Sequence, residues 1–207
     1  VGRIFCVGRN YAAHAAEMGN EVDREAPFYF LKSPHAVQQS GTVLAYPPGT
    51  EDLHHEIELV VAIGAPAFRL AQDRAAGVIW GYGAALDMTR RDLEAKAKAK
   101  QRPWDLSKDF EGAAVLSALT PAQDFQPLGQ RIQLGVNGVT RQDAVISDMV
   151  WSIDELIADL SHYYHLAPGD LILTGTPAGV GPVVAGDRLS GGIEGLAPVE
   201  LRIGPAE

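Results

Sequence analysis

The sequence has a single cysteine and no long apolar run. Because Cys6 stands alone among 207 residues, intramolecular disulfides are excluded and a reducing compartment is favoured. No stretch approaches the roughly 18 apolar residues of a membrane-spanning helix, and no secretory leader is apparent. We therefore predict a cytoplasmic protein with no membrane partner. The chain begins at Val1 rather than methionine, so further residues are expected upstream.

An excess of basic residues is also missing. Seventeen Lys and Arg face twenty-six Asp and Glu, which gives a formal net charge of -9. Neutralising nucleic-acid phosphates requires clustered positive charge, so no nucleic-acid partner is expected. The hydrophobic fraction of 46% and the charged fraction of 21% are typical of globular proteins. The length predicts one compact domain over residues 1–207 that acts on small molecules.

Glycine and proline, with 22 and 13 residues, divide the chain into short apolar segments typical of strands. Asn137-Gly138 lies between two such segments and predicts a type I′ hairpin. Strands do not alternate regularly with helices, so we expect an α+β, mostly β fold: a mixed β-sandwich roll with a few peripheral helices. Strands are predicted at 4–7, 28–32, 54–63, 81–87, 132–137, 171–174, 187–190 and 199–203.

Three segments predict helices, at 10–18, 89–101 and 152–165. Asn10 is the expected N-cap of the first. Ser152 and Glu155 have the spacing of a capping box at the start of the last. Cys6 lies in an apolar run and is expected to be a buried, unreactive thiol.

The segment 53–63 carries the most informative acidic residues. On a strand, His54, Glu56 and Glu58 share one face, and His55 lies on the other. A solvated edge strand is one interpretation, but the apolar run that follows indicates a strand covered on both sides. Two carboxylates on a buried face repel unless a cation lies between them. On this segment alone, an edge strand and a metal site both remain open.

Asp87 adds a third carboxylate at the end of the small-residue run 81–86. Its alternative role is to cap the helix that begins near Thr89. Together with Glu56 and Glu58, Asp87 offers hard oxygen ligands without a thiolate, which favours Mg²⁺ or Mn²⁺ over Zn²⁺. Such a site leaves coordination positions open for water and substrate, which indicates catalysis.

Two further patterns suggest catalytic chemistry. His14 and Glu17 are three residues apart on a predicted helix, so the carboxylate could orient the imidazole as a general base, although a surface ion pair has the same spacing. The basic segment 88–108 would attract an anionic substrate. The glycine-rich segment 173–181 lacks a Walker ending, and Thr176 within it is expected to donate its hydroxyl to a carboxylate.

Taken together in order, these motifs resemble the fumarylacetoacetate hydrolase family, and the resemblance extends over residues 4–203. The runs at 80–83 and 87–93 are most similar to its short acylpyruvate hydrolases, which include fumarylpyruvate hydrolases. The motifs are GRNYAAH at 8–14, HHEIEL at 54–59, GYG at 81–83 with LDMTRRD at 86–92, PW at 103–104 with Lys108, and LTGTPAGVG at 173–181.

The resemblance implies a homodimer that takes a small anionic diketo acid in aromatic catabolism. It also implies a family lysine at Lys108, whereas this chain has Glu94 where related enzymes commonly carry Gln. The site residues implied are the metal ligands Glu56, Glu58 and Asp87, the catalytic residues His14, Glu17 and Lys108, and the substrate-binding residues Arg91, Glu94 and Thr176.

By this interpretation His14 activates water, which attacks the distal carbonyl carbon of an acylpyruvate, and pyruvate is released by cleavage of a carbon–carbon bond. Lys108 stabilises negative charge, and Arg91 and Thr176 hold substrate carboxylates. The alternatives are an oxaloacetate decarboxylase or keto-enol tautomerase, an isomerase of a ring-cleavage product, and a catalytically silent binding module.

Overall fold

The computed structural model describes residues 1–19 and 24–206, and this part of the chain is mostly β. Its helices are α1 Ala12–Glu17, α2 Arg91–Ala99, α3 Asp105–Lys108 and α4 Ile153–Tyr163. Its strands are β1 Ile4–Gly8, β2 Phe28–Lys32, β3 Val37–Gln39, β4 Thr42–Tyr46, β5 Leu53–His55, β6 Ile57–Ile63, β7 Ile79–Asp87, β8 Thr89–Arg90, β9 Ala114–Leu116, β10 Thr120–Pro121, β11 Arg131–Val136, β12 Val139–Val145, β13 Leu171–Leu173, β14 Gly181–Val183, β15 Arg188–Ile193 and β16 Val199–Ala206.

The strands form two large sheets and one small one. The eight-stranded sheet has the order β2-β1-β13-β6-β7-β9-β3, with β10 beside β7. The five-stranded sheet, β12-β11-β15-β16-β4, packs against β6, β7 and β9. Buried aliphatic side chains from both sheets form one core cluster. The predicted mostly β sandwich roll is confirmed, and in the described part of the chain no helix is long and apolar enough to cross a bilayer.

The predicted strand 54–63 is divided at Glu56. β5 pairs with β14 and β8 in the three-stranded sheet, whereas β6 lies centrally in the large sheet between β13 and β7. The Ile57 N–H at the division donates to the Gln142 side chain at 3.0 Å instead of to a neighbouring strand. Every residue of β6 is buried, so the solvated edge strand is wrong and the doubly covered strand is confirmed.

Local signals predicted several elements well. Asn137 and Gly138 both have positive φ, 53° and 79°, as a type I′ hairpin requires. Ser152 and Glu155 form the expected capping box of α4. α2 begins at Arg91, two residues later than expected, because the preceding residues pair with β5 as β8. Cys6 is buried, and burial raises the pKa of its thiol.

The predicted N-cap role of Asn10 is wrong. Tyr11 occupies that position, and α1 has no side-chain cap. The buried Asn10 amide instead donates to the carbonyl oxygens of Trp151 at 3.0 Å and Thr174 at 2.8 Å, and its oxygen accepts from the Trp151 N–H at 2.7 Å. Asn10 therefore joins the start of α1 to the end of β13 and to the segment before α4.

We expect Asn10→Ala to lower the free energy of unfolding by about 2–4 kcal/mol, because the Thr174 carbonyl, which is buried, and two part-buried backbone groups of Trp151 lose their partner. A lost cap would cost only about 1 kcal/mol. Chemical denaturation of Asn10→Ala and Asn10→Ser measures the difference. Serine caps helices as well as asparagine does but is too short for these contacts, so full stability of Asn10→Ser would contradict the assignment.

Candidate active site

Three carboxylates converge where β6 and β7 pair. Glu56 precedes β6, Glu58 is its second residue, and Asp87 ends β7. Glu58 lies opposite Ala85 in the ladder, and the Asp87 N–H donates to the Glu56 carbonyl oxygen at 2.8 Å. One carboxylate oxygen from each residue lies within 4.8 Å of the others, and all three side chains are buried. The structure therefore gathers the three predicted metal ligands at one point.

Buried cations neutralise two of these carboxylates. Lys108 Nζ donates to Glu56 at 2.7 Å, to Asp87 at 2.9 Å and to the Thr89 hydroxyl at 2.7 Å. Lys32 Nζ lies 2.8 Å from the other oxygen of Asp87. The Arg91 guanidinium forms a second ion pair with Glu56. Burial opposes the charge on Glu56, but Lys108 and Arg91 outweigh it and lower the pKa of this carboxyl.

Glu58 is in a different electrostatic position. It accepts a hydrogen bond from the Gly175 N–H at 2.8 Å, and it forms no ion pair within residues 1–19 and 24–206. Burial, and then the charges of Asp87 and Glu56, raise the pKa of the Glu58 carboxyl well above its usual value. A further positive charge nearby would therefore favour the ionised form of Glu58.

A divalent cation fits this requirement. The donor set consists of buried carboxylate oxygens within one ion's reach, which is the chemistry that Mg²⁺ and Mn²⁺ prefer. Cys6, the single cysteine, is buried among apolar residues of β1 and adds no thiolate to the donor set. A bound cation would supply the positive charge that Glu58 lacks.

Glu56 and Glu58 line a cleft that His14 also lines. His14 is only 8% exposed, and its Nδ1 lies 3.3 Å from a carboxylate oxygen of Glu17. Glu17 is exposed, so the pair joins a buried imidazole to a carboxylate that solvent reaches. Its geometry agrees with the predicted general base, a role that remains a prediction.

The glycine-rich segment fixes the Glu17 carboxylate. The Gly179 N–H donates to both carboxylate oxygens, at 3.1 and 3.2 Å. Gly179 has a φ of 96°, and a Cβ at this position would overlap the Arg141 carbonyl oxygen. Only glycine therefore brings its N–H so close to Glu17 here. The imidazole is thus oriented by a carboxylate that the loop itself holds.

The predicted substrate-binding residues all lie at the cleft, and each has a partner within the protein. Arg91 donates to Glu94 at 2.7 Å as well as to Glu56, and Lys98 lies 2.9 Å from Glu94. The Thr176 hydroxyl donates to the Ile57 carbonyl oxygen at 2.8 Å. Burial opposes the charge on Glu94, but Lys108 and Arg91 lower the pKa of this carboxyl, so it accepts hydrogen bonds.

Two buried residues that support the site, Lys32 and Gln142, were not predicted from the sequence. Lys32, at the end of β2, is buried and supports both Asp87 and the Lys108 carbonyl oxygen. Gln142, also buried, bonds His55 at 3.1 Å and Thr176 at 2.8 Å. The position of Lys32 at the end of the apolar segment 28–32 could have indicated a buried lysine. Gln142 lies among polar residues of a hairpin strand, and nothing in the sequence indicates its role.

A family model described as fumarylacetoacetate hydrolase C-terminal matches residues 3–204. The chain belongs to the fumarylacetoacetate hydrolase family. The chain is 52% identical over 192 residues to a fumarylpyruvate hydrolase from a Ralstonia species, which covers 92% of this chain and all of that protein. It is 42% identical to the mitochondrial oxaloacetate tautomerase of Arabidopsis thaliana, over 97% of this chain and 90% of that protein.

A crystal structure from Pseudomonas aeruginosa has the same fold. It contains fumarylpyruvate hydrolase in complex with Mn²⁺ and pyruvate, and it matches with a TM-score of 0.96 and 43% identity. The match covers 99% of this chain and 90% of that one. The prediction that the chain is an enzyme of this family is confirmed, and a divalent metal is supported by both that structure and the acidic triad.

We expect Glu58→Gln to weaken Mn²⁺ binding by at least about 10-fold, because even residues that only orient metal ligands contribute that much. Since the raised pKa of Glu58 favours its neutral form as pH falls, affinity should rise with pH and binding should release protons. Titration calorimetry in buffers of different ionisation enthalpy measures both effects. Glu200→Gln, an exposed control, should bind like the parent protein, and pH-independent affinity would contradict the assignment.

Proposed function

We propose that this protein is a metal-dependent hydrolase that cleaves the carbon–carbon bond of an acylpyruvate such as fumarylpyruvate. The observation that carries the proposal is that His14, which is paired with Glu17, lines the same cleft as Glu56 and Glu58. Hydrolysis requires a base for water, and this pair supplies one. The 52% identical fumarylpyruvate hydrolase supports the choice of substrate.

His14 performs the proton transfer in this proposal. Because its Nδ1 faces Glu17, the opposite ring nitrogen, Nε2, takes the proton from water. The oxygen of that water bonds to the acyl carbonyl carbon, and the bond from this carbon to the methylene carbon breaks. The methylene carbon then takes a proton and becomes the methyl group of pyruvate, while the acyl group leaves as a carboxylate.

Glu56, Glu58 and Asp87 would hold Mg²⁺ or Mn²⁺, which supplies Lewis-acid polarisation of the α-keto acid when bound. Lys108 directs its ammonium group at Glu56, Asp87 and Thr89, so we assign it to fixing the ligands. Its positive charge also stabilises negative charge on the substrate. Arg91 and Thr176 adjoin the position of the substrate carboxylate.

We further propose a cytoplasmic homodimer.

Oxaloacetate keto-enol tautomerisation is the second candidate, because the Arabidopsis relative is a tautomerase at 42% identity. This reaction moves a proton within the substrate and consumes no water. The same carboxylates and lysines would serve it, whereas a base positioned for water would not be needed.

Offering fumarylpyruvate and oxaloacetate to the purified protein separates the two candidates. We expect pyruvate and fumarate from the first substrate, and loss of turnover after EDTA treatment that added Mg²⁺ or Mn²⁺ restores. Pyruvate release is followed with a coupled dehydrogenase. Fast enolisation of oxaloacetate with no cleavage of fumarylpyruvate would overturn the hydrolase proposal.

His14→Ala should lower kcat for fumarylpyruvate by about 10²- to 10⁴-fold, the usual contribution of a general base. Glu17→Gln should cause a smaller loss, because the imidazole remains but is no longer oriented by a charge. Metal affinity, measured by calorimetry, should be retained in both variants. Full turnover of His14→Ala would remove the imidazole from the reaction.

A further inference from the structure

One buried amide joins two parts of the site that lie far apart in the sequence. Gln142, on β12, is fully buried. Its Oε1 accepts from the Ile57 N–H at 3.0 Å and lies 3.1 Å from His55 Nδ1. Its Nε2 donates to the Thr176 hydroxyl and to the Pro177 carbonyl oxygen, both at 2.8 Å. An amide side chain has two donors and two acceptor lone pairs, so all four are used here.

The backbone partners fix which end of the amide is the oxygen. A backbone N–H can only donate and a carbonyl oxygen can only accept, so Oε1 faces Ile57 and Nε2 faces Pro177. His55 Nδ1 must then carry a proton and donate it to Oε1. The oxygen end and the nitrogen end of the Gln142 side chain therefore hold different segments.

A β-bulge directs the amide toward the site. The β11–β12 ladder shifts register after Leu134, which leaves Arg141 as an extra residue directly before Gln142. Bulges re-aim neighbouring side chains and are frequent beside active sites. The Arg141 carbonyl oxygen lies against the glycine-rich segment, where a Cβ at Gly179 would overlap it. The bulge thus packs the hairpin against this segment and turns the amide toward it.

The oxygen end of the amide holds the chain on both sides of Glu56. Glu56 lies between β5 and β6 and belongs to neither strand. Its neighbours His55 and Ile57 are the two residues that donate to Oε1. Because the backbone on either side sets where a side chain begins, these two bonds help to place the Glu56 carboxylate beside the other acids.

The nitrogen end holds the middle of the glycine-rich segment. Residues 174–180 are in neither a helix nor a strand, so side-chain contacts fix their path. The start of the segment is fastened to β6 through Thr174, whose N–H and hydroxyl both donate to the Leu59 carbonyl oxygen at 3.0 Å. The amide is the next fastening point, and beyond it the Gly179 N–H donates to Glu17 at 3.1 Å. The amide therefore determines where Gly179 meets Glu17.

We propose that Gln142 is a positioning residue with two tasks: its oxygen end places the metal ligand Glu56, and its nitrogen end places the segment that holds Glu17. Gln142 does not line the cleft of the carboxylates, so it acts through these residues and not by touching substrate. The task at Glu17 rests on the proposed function, in which this acid orients His14. The task at Glu56 does not.

Gln142→Met tests both tasks, because it keeps about the same side-chain length but removes the amide. We expect the Kd for Mn²⁺ to rise, and kcat for fumarylpyruvate at saturating Mn²⁺ to fall, each by about 10- to 100-fold, the usual effect of losing a partner that orients a ligand. Electron paramagnetic resonance of unbound Mn²⁺ measures Kd, and pyruvate release measures kcat. A lower melting temperature with parent values of Kd and kcat would show a merely structural role and overturn the proposal.

Gln142→Glu is isosteric and tests the two ends separately. The carboxylate still accepts from Ile57 and His55 but cannot donate to Thr176 and Pro177. We therefore expect this variant to recover most of the Mn²⁺ affinity lost in Gln142→Met, while its kcat stays low. An affinity as low as that of Gln142→Met, or a kcat equal to that of the parent protein, would overturn the assignment of the two ends.

Gln133→Met is the matched control, because Gln133 lies on the other strand of the same hairpin and lines a groove that includes none of the residues assigned to the site. It should keep the parent Kd and kcat, and losses equal to those of Gln142→Met would contradict a specific role for Gln142. Mn²⁺ affinity is measured without substrate. A parent protein that binds Mn²⁺ but cleaves no fumarylpyruvate would therefore overturn the proposed function and leave the task at Glu56 in place.

Discussion

Three carboxylates gathered in a water-poor core are the constraint on which the rest of the site depends. Each charge in such a place must be balanced locally, because solvent cannot do it. Lys108 and Arg91 balance Glu56, and Lys108 and Lys32 balance Asp87. Glu58 is the one of the three carboxylates without an ion-pair partner in residues 1–19 and 24–206, and this missing partner is what favours a cation at the cluster. With a further lysine at Glu58 the cluster would be a closed salt-bridge network.

The same constraint explains the contacts of Glu94. The Glu94 carboxylate gives Arg91 a second acceptor. The guanidinium therefore bridges two acids, with one nitrogen at Glu56 and another at Glu94. The added negative charge is in turn balanced by Lys98, one helical turn further along α2. Glu94 thus accepts hydrogen bonds from cations and is not a donor to substrate.

The sequence predicted the parts of the site that follow from local pattern. Alternation along β6 brought Glu56 and Glu58 to one point, and helical spacing brought His14 to Glu17. Contacts between distant segments had no such signal: Lys32 reaches Asp87 from the edge of the sheet, and Gln142 reaches Thr176 from a hairpin. Asn10 was assigned to the wrong partner for the same reason, because a capping residue and a tertiary cross-link look alike in sequence. Strands of two or three residues, such as β10 and β14, are too short to show a period.

The site has two parts. One consists of the carboxylates and the cations that neutralise them, and the other is the chain segment that carries His14. The three carboxylates lie at the central strands β6 and β7, Lys108 lies on α3, and Lys32 lies on the edge strand β2. His14 and its partner Glu17, which the proposed hydrolysis uses as its base, lie on the short segment between β1 and the end of α1. Arg9 lies on the same segment. Asn10 fixes this segment to the core. Under the proposed function, changes confined to these few residues would therefore alter water activation without disturbing the metal ligands.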